Sequence, residues 1–267
     1  MPKHYTIKPD SKVDLSKIPT GPGKTDFDKK SAYKQIEKNA EDMAVKFRRL
    51  YAENERSILL VLQGMDTAGK DGTIRTVMRG VNPRSCQVVS FKVPSEEEAD
   101  HDFLWRIHKA APRKGNIGIF NRSHYEDVLV VRVHSLRPEK VWKKHYEQIN
   151  DFEKLLSQTG TTIIKCFLHI SKETQRERLQ ARVDEKESNW KFNSGDLKER
   201  LKWADYQEAY TAALEKCSTN HAPWHVIPSD KKWYRNLVVS ELLKSKIDEM
   251  DPQFPAAEED VTGITVE

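Results

Sequence analysis

The chain has 267 residues, 37% hydrophobic and 32% charged, a composition that fills a core beneath a heavily solvated surface and excludes a disordered or fibrous chain. The balance of 45 Lys and Arg against 41 Asp and Glu leaves only +4, too little to argue for a nucleic-acid partner, so any basic binding surface must be local. No apolar run approaches the ~20 residues that span a bilayer, and no membrane partner is expected.

Residues 1–30 form a polar arm carrying Pro2, Pro9, Pro19 and Pro22, without the apolar stretch of a signal peptide. Tyr33, Ile36, Ala40, Met43, Phe47 and Leu50 then recur every three or four residues, which predicts a helix docked along that stripe. The run Ser57-Ile58-Leu59-Leu60-Val61-Leu62 is continuously apolar after its first residue, as in a central parallel strand covered on both faces. Further strand-like runs at 87–93, 117–120, 161–170 and 225–228 alternate with helical stretches. That alternation predicts one α/β domain over 31–250, a P-loop kinase-like three-layer sandwich around a parallel sheet of about five strands. Residues 171–200 are expected to form a helical lid, and 251–267 an acidic, solvated or disordered tail. Cys86, Cys166 and Cys217 are far apart and odd in number, and read as buried thiols of a reducing cytoplasm. In doubly wound sheets ligands bind beyond the carboxyl ends of the strands, which directs attention to 63–73, 92–98 and 121–127.

The first of these segments, Gly64-Met65-Asp66-Thr67-Ala68-Gly69-Lys70, has the G-x-x-x-x-G-K spacing of a phosphate loop (Walker A), between a buried strand and a helix as the motif requires. Its glycines let backbone amides curl around phosphate, so Gly64, Ala68, Gly69, Asp71 and Gly72 are expected to line the anion while Lys70 neutralises its charge. Asp71 stands where Ser or Thr normally supplies a magnesium-binding hydroxyl. A carboxylate beside phosphate is repelled unless a cation lies between, which makes Asp66 the metal-ligand candidate.

At the end of the third strand-like run comes Asn121-Arg122-Ser123-His124-Tyr125-Glu126-Asp127. Arg122 is placed to stabilise charge on the phosphoryl group in transit, while Asn121, Glu126 and Asp127 are placed to bind magnesium or orient the acceptor. A structural reading stands beside this one, in which Ser123 caps a helix and Glu126 completes a capping box. From Ser171 a helix is expected to run to about Lys186, with Arg178, Arg182 and Lys186 four residues apart on one face. Such a row is either solvated beside Glu173, Glu177 and Glu185 or closes over phosphates as a lid.

Several motifs together resemble the polyphosphate kinase 2 family, over about Leu59 to Lys244. They are Gly64-x-Asp66-x-x-Gly69-Lys70-Asp71-Gly72, Phe91-Lys92-x-Pro94-Ser95, Phe103-Leu104-Trp105-Arg106-x-His108 and Phe120-Asn121-Arg122-Ser123-x-Tyr125. Gln175-x-x-Arg178-x-x-x-Arg182, Trp190-Lys191-Phe192 and Trp203-x-x-Tyr206 continue the match. The resemblance implies a cytoplasmic enzyme of bacterial type that moves phosphoryl groups between inorganic polyphosphate and nucleotides. It implies Mg²⁺, or Mn²⁺ in its place, as cofactor, and a dimer or tetramer as assembly. By the same resemblance Asp66 and Lys70 bind metal and phosphate, Arg122 binds phosphate, Arg178 and Arg182 belong to the lid, and Lys92 lines the crevice. Many members carry Asp where this chain has Asn121, so Asp127 is a candidate for the metal role there. Asn121 with Glu126 resembles the class III subgroup, which accepts nucleoside mono- and diphosphates. The rivals are a nucleotide kinase with ATP as donor and a P-loop NTPase switch.

Overall fold

The computed structural model describes residues 2–266. Its centre is β2 (Ser57–Gln63), buried at every position, which pairs in parallel with β4 (Ile117–Asn121) on one side and β5 (Thr161–His169) on the other. Beyond β4 lies β3 (Cys86–Ser90), and beyond β5 lies β6 (Trp224–Pro228), both parallel to their neighbours. A sixth strand, β1 (Tyr5–Thr6), runs antiparallel to β6 with Tyr5 opposite Val226. The sheet order is β1-β6-β5-β2-β4-β3, so the chain reverses direction across the sheet at β2, where the phosphate loop begins. This is a P-loop kinase-like α/β fold. Two residues make too short a pattern to read as a strand, and β1 had no expectation in the sequence.

Helices cover both faces. On one, α1 (Lys29–Glu53) packs on α10 (Lys232–Met250), which also contacts α2 (Lys70–Val77). On the other lie α5 (Val130–Val133), α6 (Glu139–Gln158) and α9 (Trp203–Lys216); Lys165 and Phe167 of β5 point there, to Glu153 and Tyr210. Short helices α3 (Glu96–Asp100) and α4 (Trp105–Ala110) follow β3, and α7 (Lys172–Asp184) and α8 (Ser194–Leu201) follow β5.

The buried stripe of α1 is Ala32, Ile36, Asn39, Met43, Phe47 and Leu50. Tyr33 and Ala40 fall beside it because Asn39 is drawn inward by hydrogen bonds to Ser240 and Glu241 of α10, which hydrophobicity alone does not signal. Helix α7 stops at Asp184, so Lys186 belongs to a separate 3₁₀ turn and the expected row of three cations is a row of two. The three cysteines are free thiols. No helix among the described residues is long and apolar enough to cross a membrane.

Candidate active site

The phosphate loop bends by occupying backbone that side chains resist. Gly69 has φ +102°, and a Cβ there would lie 1.8 Å from Nη1 of Arg235, so only glycine fits. A Cβ on Gly64 would meet the Leu168 carbonyl at 2.8 Å. Thr67 is left-handed at φ +66°, the kind of local strain that concentrates at functional sites. Helix α2 starts at Lys70, whose Nζ donates to the Gly64 carbonyl at 2.8 Å. Burial, together with the Arg122 charge, pulls the Lys70 ammonium below its ordinary range, against the opposing influence of Asp66, Glu126 and Asp71.

The end of β4 meets this loop. Asn121 donates to Asp71 at 2.5 Å, and Arg122, also left-handed at φ +63°, donates through Nη2 to Asp66 at 2.8 Å. Glu126 lies 3.8 Å from Nη1 of the same guanidinium. Burial works against the Arg122 charge, but Glu126 and Asp66 outweigh it and hold the group protonated above its ordinary range. Burial lifts the Glu126 carboxyl, while Arg122, Lys70 and Gln63 pull it back. Ser123 caps the following 3₁₀ turn (His124–Val128) by accepting from the Tyr125 amide at 3.2 Å, so the capping expectation holds for Ser123, whereas Glu126 is turned to Arg122.

Asp66, Lys70, Asp71, Asn121, Arg122 and Glu126 therefore form one cluster. Asp127 faces another: its carboxyl, pushed up to about 7 by burial, is influenced by Arg106, Glu126 and Arg137. Arg106 is nearly buried and bridges the Lys92 carbonyl and Glu98, while the Lys92 side chain is exposed. Arg178 and Arg182 also separate. Arg178 donates to the carbonyls of Thr67, Ser229 and Asp230 at 2.8 Å each, and Arg182 pairs with Asp196 of α8 at 2.7 Å.

Four participants stand on segments that carried no motif of their own or a motif read for another residue. Gln175 of α7 donates to the Asp66 carbonyl at 3.2 Å, and Arg235 of α10 donates to the Ala68 carbonyl at 2.8 Å. Burial raises the carboxyl of Asp196 of α8, which pairs with Arg182 and also feels the charges of Asp66, Arg122 and Lys70. Tyr210 of α9 is buried beside Glu126 and Arg122. The Gln175-x-x-Arg178 spacing was the available signal for Gln175, since one helical turn places both on the loop side.

No group of three or more His, Cys, Asp or Glu side chains among the described residues is arranged to hold a metal. Magnesium needs less, because it binds through one or two carboxylates together with substrate phosphates and water. Asp66 meets that requirement: its side chain is 21% exposed, Arg122 takes Oδ1, and no hydrogen bond among the described residues uses Oδ2.

A family model described as polyphosphate kinase 2 matches residues 26–255. An AMP/ADP-polyphosphate phosphotransferase from Meiothermus ruber is 49% identical over 99% of this chain and 100% of its own length. An ADP-polyphosphate phosphotransferase from Rhodopseudomonas palustris is 42% identical, over 95% of this chain and 92% of its own. A crystal structure of polyphosphate kinase 2 from Arthrobacter aurescens TC1 superposes with a TM-score of 0.91 at 41% identity, covering 96% of this chain and 92% of that one.

Proposed function

This chain belongs to the polyphosphate kinase 2 family, and from that premise we infer that it transfers phosphoryl groups between inorganic polyphosphate and nucleotides. It is a polyphosphate-dependent nucleotide phosphotransferase. The observation that carries this reading is the convergence of Asp66, Lys70 and Arg122 at the ends of β2 and β4 in a chain so similar to an AMP/ADP-polyphosphate phosphotransferase over its whole length. The acceptors are nucleoside mono- and diphosphates; a terminal phosphate oxygen of the nucleotide attacks the end phosphorus of polyphosphate in line with the bridging P–O bond, which breaks to release the shortened polyphosphate, with no covalent enzyme intermediate. The loop amides and Lys70 hold the phosphoryl oxygens, and Arg122 offsets charge that spreads as the bond breaks. Asp66 and the substrate phosphates would hold Mg²⁺, which would supply positive charge against the phosphate oxygens. Asn121, tied to Asp71, orients the first turn of α2 rather than binding metal. The free thiols and nucleotide substrates support a cytoplasmic setting. The family resemblance supports a homo-oligomer.

Acceptor breadth is tested by measuring kcat/KM for AMP and ADP separately, with polyphosphate as donor and adenylate kinase removed. Both acceptors are expected to work, and EDTA to stop both. Glu126→Lys should change the AMP:ADP ratio without abolishing transfer, because the loop and Arg122 remain; a wild type inactive on AMP, or an unchanged ratio in the variant, would place the acceptor choice elsewhere.

A further inference from the structure

Arg235 is 2% exposed, yet no carboxylate pairs with it among the described residues. An unpaired buried charge lowers stability, so the fold alone does not account for an arginine here. Each of its three nitrogens makes a hydrogen bond. Nε and Nη2 donate to Oδ1 of Asn236 at 3.1 and 2.9 Å, and Nη1 donates to the Ala68 carbonyl at 2.8 Å. Asn236 is itself fixed to α2, accepting from Thr73 at 3.3 Å and donating to Thr76 at 3.1 Å. Arg178 approaches the same Ala68 carbonyl at 3.4 Å from the lid side. The guanidinium thus fills the space that the missing Cβ of Gly69 leaves open.

In a planar trans peptide the carbonyl and the following N–H point in opposite directions. Two guanidiniums that hold the Ala68 carbonyl on the α7 and α10 side turn the Gly69 N–H away from themselves. We propose that Arg235 is a positioning residue for phosphoryl transfer, clamping the Ala68–Gly69 peptide so that the Gly69 amide faces the bound phosphate. This rests on the reading of the loop as the phosphate site. It also explains the missing acid: a carboxylate beside Arg235 would compete with the Ala68 carbonyl for its donors and place negative charge behind an anion-binding loop. Arginine suits the task because its rigid fork reaches two acceptors at once, which a lysine ammonium on a flexible stem does not do.

The test compares Arg235→Met and Arg235→Lys with wild type by three measurements: kcat/KM for AMP with polyphosphate, calorimetric binding of inorganic tripolyphosphate, and Tm. The methionine variant should keep a near-native Tm while losing about a hundredfold in kcat/KM, the scale of one misplaced preorganised donor. It should bind tripolyphosphate more weakly and regain activity with guanidinium ion at non-denaturing concentration. The lysine variant should fall between the two. A methionine variant within about twofold of wild type, or a loss matched by loss of folded protein, overturns the proposal. Should that variant fail to fold, the lysine variant decides: folded with unchanged kcat/KM it overturns the proposal, and folded with about a tenfold loss it supports it. A wild type that binds tripolyphosphate yet makes no ADP would count against the assigned reaction, leaving the binding comparison to judge Arg235.

Discussion

At the scale of single residues, the site divides into groups that hold charge and groups that pay for burial. Arg122 and Lys70 face Asp66 and Glu126 across the loop, and Asp127 stands apart at the Arg106 side. Its separation has a measurable consequence. The folded carboxyl titrates at about 7 against an ordinary 3.8, so between those values the native state keeps a proton that the unfolded chain has released. Stability therefore falls as pH rises through that window, and the penalty is complete above it. Replacing Asp127 with Asn removes the titration. In metal-free buffer the variant's Tm should gain on wild type between pH 4.5 and pH 8, a range that covers most of the ~4 to ~7 window. An equal Tm difference at both ends of the range would contradict burial as the cause. The loop residues and Arg122 were legible because a spacing motif fell in a strand-to-helix context. Arg235 and Asp196 were not, since each is one charge among several in an unremarkable stretch and acquires meaning only from what the fold sets against it.

At the scale of elements, the turn that carries Glu126 is supported from below. Lys165 of β5 is fully buried and gives all three ammonium donors, to Glu153 at 2.6 Å, to the Tyr125 hydroxyl at 2.8 Å and to the Cys217 carbonyl at 2.6 Å. Glu153 of α6 in turn accepts from Tyr125 at 2.9 Å and contacts His124 at 3.1 Å. Two residues of the turn after Arg122 are thereby bonded to a strand and a helix. Lys165→Met strands a buried carboxylate and should cost about 3–5 kcal/mol by chemical denaturation. Adding Glu153→Gln should recover part of that loss, because the amide still serves Tyr125 and His124. A single variant within about 1 kcal/mol of wild type would show that the network is not held as a charged pair. The sequence pattern of β5 predicted a strand through Lys165 without explaining a lysine in an apolar run; its partners are 12, 40 and 52 residues away. In α7, periodicity placed two arginines on one face, and it could not reveal that Arg178 grips the loop while Arg182 latches α8 through Asp196.

At the scale of the whole molecule, the strand runs and their alternation were enough to anticipate a parallel sheet with the loop at its carboxyl edge. Each of the five parallel strands lies within a few residues of the expected run. What alternation did not carry is the way the N-terminal residues close the sheet: Tyr5–Thr6 pair with β6, Ile7 and Leu15 are buried, and Tyr234 of α10 donates to the Lys3 carbonyl at 3.0 Å. Polar, proline-rich composition speaks to local conformation and says little about docking by a few apolar residues. Helix α7 is held against the loop by Gln175 and Arg178, and under the proposed function the substrate phosphates would meet beside Lys70, Arg122 and Arg178. Such a group of cations suits a repeating polyanion. The measurement that bears most directly on this account is the initial rate of ADP formation from AMP with Mg²⁺, run once with polyphosphate as sole donor and once with ATP as sole donor. Polyphosphate should support the faster reaction, with a rate that falls as salt screens the cations; rapid transfer from ATP with none from polyphosphate would contradict it.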